Sequence, residues 1–342
     1  MPVSVIVGGQ YGSEGKGKVA YYWAKKVNAA AVVRVGGSNS GHTVYDKAGR
    51  KFALRMLPTA SIDGDVTAVL PAGSYVDIEV LLQEMKMTAL SHNLLKIDNN
   101  AVIITEEYKS GEAKFMLRQK VGSTLSGTGL AVMNRVMRVD NVLLAKDVPE
   151  LTEYLCDTKQ YMRSLLDERK NIVIEGTQGY GLSNYHAKYY PYATSRDTTA
   201  ASFLAETGLS PFDVEHVVMV IRSYPIRVAG NSGPLANEID WKTLTIESGA
   251  NEYFDEKTTV TNHVRRVARF SSDVVSEAIL VNQPDVIVLN HMDYIDINNK
   301  DSRTLSSKQK EFLKTVEQMI GRDIGYCGNG ETSILSMGDT PK

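Results

Sequence analysis

The sequence predicts an α/β protein with a mainly parallel central sheet flanked by helices. Three observations carry that expectation. Short runs of valine and isoleucine recur along the 342 residues, several of them ending in glycine-rich or polar turns. Longer amphipathic stretches lie between these runs, and that alternation is how parallel strands are connected. No repeat, low-complexity tract or Pro/Gly/Ser-rich linker divides the chain, so residues 1–342 read as a single domain.

The expected strands come in order. Residues 3–7 run into Gly8-Gly9, and residues 31–35 run into Gly36-Gly37. Residues 101–105 form a third run, and residues 171–174 end at Glu175-Gly176. Residues 216–221 follow, and residues 285–289 close on Asn290-His291. Helices are expected over residues 17–27, 78–90, 148–169 and 272–281, where apolar positions recur at helical spacing. Sheets of this kind place their chemistry in loops beyond the carboxyl ends of the strands, where the glycine-rich segments fall here.

Composition narrows the function classes. With 43% hydrophobic and 23% charged residues, the chain is neither disordered, coiled coil nor collagen. Its formal net charge of −2 leaves no basic excess, so neither nucleic acid nor a membrane surface is expected as a direct partner. Cys156 and Cys327 are too few for a disulfide scaffold and lack zinc-ligand spacing. No apolar run reaches the roughly 18 residues of a membrane span, and the start lacks a basic leader, so a cytoplasmic location is expected.

The segment Gln10-Tyr11-Gly12-Ser13-Glu14-Gly15-Lys16-Gly17-Lys18 follows the first strand and opens a helix. Its glycines let backbone N–H groups face phosphate oxygens, and the helix N-terminus adds partial positive charge. Lys16 and Lys18 add point charges for phosphate. The loop is not a Walker A motif, which needs glycine at position 10 and Ser or Thr at 17, where this chain has Gln10 and Gly17. It is not the dinucleotide fingerprint either, because the glycine spacing differs. A plain strand-to-helix turn with solvated lysines would share these glycines.

The same nine residues resemble the signature loop of adenylosuccinate synthetases, which usually reads Gln-Trp-Gly-Asp-Glu-Gly-Lys-Gly-Lys. The likeness extends along nearly the whole chain. Residues 34–43, with Gly36-Gly37-Ser38-Asn39-Ser40-Gly41-His42-Thr43, are similar to the family's Gly-Gly-x-Asn-Ala-Gly-His-Thr segment. Glu175-Gly176-Thr177-Gln178, the run 190–195 and Thr198-Thr199-Ala200 resemble its middle motifs, and residues 260–270 resemble its arginine loop. The length is like that of compact members from archaea and some phages.

What the resemblance implies is a ligase that joins aspartate to C6 of a purine monophosphate. A nucleoside triphosphate first phosphorylates O6, and the aspartate amine then displaces phosphate. Matching positions give Gly12, Glu14, Gly15, Lys16, Gly17 and Lys18, with Gly41, His42 and Thr43, to the triphosphate. His291, Asp293 and Gly328 fall at the far end of the same site. His42 is the expected general acid at O6, Lys16 an expected catalytic cation, and Ser13 with the Gly41 carbonyl the expected magnesium contacts. Ser13, Asn39, Ser123, Thr124, Gln178 and Thr194 are assigned to the purine monophosphate. Arg138 is expected to reach the monophosphate across a homodimer interface. Val260, Thr261, His263 and Arg265 are assigned to the aspartate substrate, whose carboxylates suit a guanidinium.

The chain departs from the family pattern at several positions. Ser13 stands where the family has an aspartate that acts as base and magnesium ligand, and a serine hydroxyl is far less acidic. Three readings follow: a relative that only binds nucleotides and acts as a regulator, an ordinary synthetase using IMP and GTP with its proton rerouted, or the phage branch. Phage-branch members are similar to 2-aminoadenylosuccinate synthetases, carry serine here, and act on dGMP with ATP or dATP. A shorter, neutral serine leaves room for guanine's 2-amino group, which favours the third. His263 replaces an arginine, Leu125-Ser126 replaces Gly-Arg, and His291 replaces the lysine of a Lys-x-Asp pattern.

Overall fold

The computed structural model describes residues 2–258 and 263–338. The first strand, β1 (Val3–Gly8), is buried along its whole length and lies near the middle of a ten-stranded sheet. Asn171–Glu175 flanks it on one side and Val214–Arg222 on the other, both parallel to it. Beyond Asn171–Glu175 come Ala29–Arg34, Thr67–Leu70, Leu95–Asp98 and Leu155–Cys156, all parallel. Beyond Val214–Arg222 come Val286–Asn290 and Tyr326–Gly328, also parallel, and then Ile334–Ser336, which alone runs antiparallel.

Strand alternation divides the core between two faces. Val3, Val5 and Val7 pack with Phe203, Leu204 and Trp241 on one side of the sheet. Ile6 packs on the other with Val19, Ala20 and Trp23 of helix α1 (Lys16–Lys26). Covered on both faces, the strands can be near-continuous apolar runs, as the sequence has them. The helix expected over 78–90 spans Ile78–Thr88, with Asp77 accepting from the Val80 N–H at its start and Ala89 closing it at φ 53°. The helix expected over 272–281 is Asp273–Asn282.

Two expected elements are corrected. Of residues 101–105 only Val102–Ile103 form a strand, and it pairs with Tyr75–Val76 in a separate ribbon. Thr105 leaves that ribbon to cap the helix Glu106–Lys114, its hydroxyl accepting from the Tyr108 N–H. Residues 148–169 are three pieces: a 3₁₀ turn Pro149–Tyr154, the edge strand Leu155–Cys156 and the helix Thr158–Asp167. Asp98 holds that break, accepting from both Thr158 N (3.2 Å) and Thr158 Oγ1 (2.7 Å). Leu151, Tyr154, Met162 and Leu165 are all buried, so the apolar period runs on across a break in the backbone. Among the described residues, no helix is long and apolar enough to cross a membrane.

The loops after β1, Ala29–Arg34, Asn171–Glu175, Val214–Arg222 and Val286–Asn290 all leave from carboxyl ends of parallel strands. They converge on one region.

Candidate active site

The loop after β1 is folded around its own acidic residue. Glu14 Oε1 accepts from the N–H groups of Gln10 (3.1 Å) and Gly12 (2.7 Å), while Oε2 pairs with Lys16 Nζ at 2.7 Å. Both side chains are enclosed, at 0% and 1% exposure, so this ion pair is part of the loop's framework. Gly8 must lack a side chain, since a Cβ there would lie 2.7 Å from Glu14 Oε2. Gly15, at φ 85°, turns the chain into α1, and Asn290 Nδ2 donates to Glu14 O at 2.8 Å.

Gly15, Lys16, Gly17 and Lys18 line a cavity of about 930 Å³ together with Gly41, His42 and Thr43. His291 and Asp293 stand on its far wall. Glu14, expected among the triphosphate residues, faces inward and does not line this cavity. Gly328 lies behind the wall, where a Cβ would come within 1.8 Å of Asn290 Oδ1 and 2.5 Å of Lys18 Nζ. Lys18 donates to Gly330 O at 2.9 Å, and burial lowers its pKa to about 8. Burial also raises the Asp293 carboxyl, whose Oδ1 has no partner among the described residues.

His42 begins a hairpin strand, His42–Tyr45, and its Nδ1 lies 2.5 Å from Glu175 Oε1 at the end of Asn171–Glu175. The other Glu175 oxygen accepts from Thr59 N and Thr59 Oγ1, both at 2.8 Å. Arg34 Nη1 reaches the same carboxylate at 3.2 Å and lies beside the imidazole. Burial, reinforced by the Arg34 charge, lowers the His42 pKa to about 3. An ionised Glu175 can only accept, so it takes the Nδ1 hydrogen of a neutral ring.

A second cavity, of about 430 Å³, lies on the other side of the loop. Asn39, Ser123, Thr124 and Gln178 line it as the sequence led us to expect, and Arg118 and Arg227 join them. Gln178 adopts φ 60°, and Gly12 lets its Cα come within 3.3 Å of where a Cβ would stand. Thr194 is set back from this wall, its N–H donating to Leu182 O at 2.7 Å. Arg138 ends the helix Thr128–Met137 on the surface, outside the cavity of its own chain.

The two cavities share Gly12, Ser13, Gly41, Thr258 and Arg265. At that junction Arg265 Nη1 donates to Ser13 Oγ (2.5 Å), and Arg222 Nη1 donates to Ser13 O (2.6 Å). Glu256 bridges the two arginines, 2.9 Å from Arg222 Nη2 and 3.4 Å from Arg265 Nε. Burial works to raise the Glu256 carboxyl, but Arg222, Arg265 and His291 outweigh it and hold it at about 2. His263 lines the smaller cavity beside Arg265, whereas Val260 and Thr261 lie outside the described residues.

Sequence reasoning did not single out Arg34, Glu175, Arg222, Glu256 or Arg118 as site residues. Glu175 carried a signal, since a carboxylate at the end of an apolar strand points into the loop region. Arg34 and Arg222, which also end apolar strands, carried the same signal, whereas Glu256 and Arg118 carried none. Among the described residues, no three His, Cys, Asp or Glu side chains gather into a metal site. Magnesium needs no such cluster when phosphates and waters supply most of its oxygens.

Known proteins match this arrangement. The family model for adenylosuccinate synthetase matches residues 5–148 and 142–300. An adenylosuccinate synthetase of Methanococcus vannielii is 37% identical over 337 residues, covering 96% of each chain. That of Methanocaldococcus jannaschii is 36% identical over 335 residues, covering 96% of this chain and 94% of the relative. Among solved structures, a fully ligated adenylosuccinate synthetase from Plasmodium falciparum superposes with TM-score 0.86 at 19% identity, covering 99% of this chain and 100% of that one. The succinoaminodeoxyadenylate synthetase of cyanophage S-2L, bound to dGMP and dATP as an energy donor, gives TM-score 0.80 at 30% identity, covering 98% and 95%.

Proposed function

The chain belongs to the adenylosuccinate synthetase family of carbon–nitrogen ligases that use aspartate, and within it we propose an enzyme that joins L-aspartate to C6 of dGMP. The donor is ATP, or dATP in the same seat. The products are N6-succino-2-amino-2′-deoxyadenylate, ADP and phosphate, a precursor of 2-aminoadenine DNA made in the cytoplasm of a phage's host. The observation that carries this reading is Ser13 at the junction of the two cavities, where a purine's N1 edge would meet the donor's γ-phosphate. Likeness to the cyanophage enzyme, which was solved with dGMP and dATP, supports it.

The residues divide the work as follows. The larger cavity takes the triphosphate, with Lys16 leaving Glu14 in part to meet it. The smaller takes dGMP. The N1 proton leaves to water, the purine O6 attacks the γ-phosphorus, the bond to the bridging β–γ oxygen breaks, and ADP leaves. Aspartate, held by Arg265, then attacks C6 through its amine, and the C6–O6 bond breaks to release phosphate. With Nδ1–H given to Glu175, His42 offers O6 a proton from Nε2 only as the imidazolium. The triphosphate's negative charge beside it favours that form. Magnesium would neutralise charge on the donor phosphates, and the Gly41 carbonyl and Ser13 hydroxyl are the protein oxygens that would hold it. The Ser13 oxygen, already accepting from Arg265, keeps a second lone pair for guanine's 2-amino group or for the cation.

A homodimer belongs to this proposal. Met133, Val136 and Met137 are exposed at helical spacing on the helix that ends at Arg138, an apolar face that a second copy would cover while bringing Arg138 to its neighbour's monophosphate.

One observation favours a second reading, IMP with GTP. Asp293 Oδ1 on the donor wall, without a partner among the described residues, is an acceptor suited to guanine N1–H or N2–H. Phosphate release with aspartate and magnesium separates the readings, crossing ATP, dATP and GTP with dGMP, GMP and IMP. We expect release with dGMP and ATP. Release with IMP alone would return the protein to adenylosuccinate synthesis, and none with any pair would leave a nucleotide-binding regulator.

A further inference from the structure

We propose that Arg118 supplies a same-chain cation for the 5′-phosphate of the purine monophosphate, beside the Arg138 that a second copy would bring, an inference that rests on reading the smaller cavity as the monophosphate site. The segment 121–129 forms one wall of that cavity, yet its best anion-binding amides are already taken. Glu112, itself buried, accepts from Gly127 N (3.0 Å) and Gly129 N (2.7 Å), closing the N-terminus of the helix Thr128–Met137 with a carboxylate. Glu112 thereby takes two of that helix's N-terminal amides and offsets its dipole, which leaves it a poorer seat for a phosphate.

Ser123 and Thr124 remain, and both are neutral. The Ser123 hydroxyl accepts from Leu125 N at 3.1 Å, and Thr124 Oγ1 donates toward Ser126 Oγ at 3.3 Å. A phosphomonoester carries nearly two negative charges at neutral pH and binds well only beside a cation. Three arginines reach this wall. Arg265 is engaged with Ser13 and Glu256 at the junction. Arg227 is fixed in the buried wall by stacking 4.3 Å from the Tyr11 ring centroid and by donating to Ser232 O, away from Ser123 and Thr124 in the sequence, although its Nε and Nη2 have no partner among the described residues. Arg118 has no carboxylate partner among the described residues and does not line the donor cavity.

Its position also suits the task. The helix Leu117–Val121 runs directly into Gly122-Ser123-Thr124, with the Gly122 N–H donating to Arg118 O at 3.0 Å. Asn231 Nδ2 clips this helix to the opposite wall by donating to Gln119 O (3.3 Å) and Lys120 O (3.1 Å). A phosphate on Ser123 and Thr124 thus lies beside a guanidinium from its own chain.

The test uses the full chain with Arg118→Ala and Arg118→Lys, measuring affinity for dGMP, IMP and deoxyguanosine by calorimetry. For Arg118→Ala, dGMP and IMP should both weaken by about 10- to 100-fold, the span of a lost charge-assisted hydrogen bond. Deoxyguanosine, which lacks the phosphate, should bind as before, and Arg118→Lys should restore part of the loss. The KM of the donor triphosphate should not move. Unchanged affinity for both monophosphates, or an equal loss for deoxyguanosine, would overturn the proposal. Because dGMP and IMP share the phosphate, a failed preference for dGMP would sink the base assignment and leave the Arg118 result standing.

Discussion

On the side of Ser13 proposed for the donor, Lys16, His42 and Lys18 of the cavity wall already have partners, while Asp293 Oδ1 has none among the described residues. Lys16 rests on Glu14, His42 on Glu175, and Lys18 on the carbonyl of Gly330. On the side proposed for the monophosphate the wall is hydroxyls, amides and arginines, and among the described residues neither Arg118 nor Arg227 pairs with a carboxylate. Paired, buried charges hold their geometry before any ligand arrives, and removing one partner strands the other in a low dielectric. An open cation contributes little to the fold and much to the affinity for its anion. Substitutions on the donor side should therefore damage turnover and stability, and those on the monophosphate side should damage binding.

The largest effect is expected at Glu175. Glu175→Gln removes the negative charge that supports the His42 imidazolium and leaves Arg34 beside it, so kcat should fall on the order of 100-fold. The KM of each nucleotide should stay within a few-fold, as steady-state phosphate release would show. A change confined to KM would break the comparison. Next comes Glu14→Gln, which leaves Lys16 buried without its counter-charge and should destabilise the protein by about 3 kcal/mol in urea unfolding. Saturating ATP should recover part of that loss, because the triphosphate takes over the free ammonium.

At the junction itself the comparison sharpens into specificity. Ser13→Asp places a charge where guanine's 2-amino group is proposed to lie, and should lower kcat/KM for dGMP relative to IMP by about tenfold. An unchanged ratio would remove Ser13 from base selection. The smallest effect concerns acid. Glu256 is held at about 2, below the ordinary carboxyl value of 4.5, so its stabilisation is complete above pH 4.5 and is lost as pH falls toward 2. The Tm of the native protein should drop across that window, and Glu256→Gln should flatten the drop in a calorimetric pH series.

The α/β class, the loop after β1 and the cavity-lining roles of Lys16, Asn39, Thr124 and Gln178 were legible in the sequence. Each is written in a local pattern: valine-rich runs, glycines at fixed offsets, and motifs in family order. That the lysine is neutralised by Glu14 two residues away was not legible, because spacing does not show which way a short loop folds. Residues 148–169 misled for a related reason, since helical periodicity reports a buried face and not whether the backbone breaks along it.

What the sequence by itself determined is the sheet, the loops at its carboxyl edge and the family. Tertiary structure decided the pairing of charges. His42 meets Glu175 across 133 residues and Ser13 meets Arg265 across 252, while Thr194 and Gly328 fall behind the walls they were expected to line. The physical reason is that local pattern reports hydrophobic periods and backbone freedom. Which carboxylate compensates which cation depends on strand order, and strand order has no local signature.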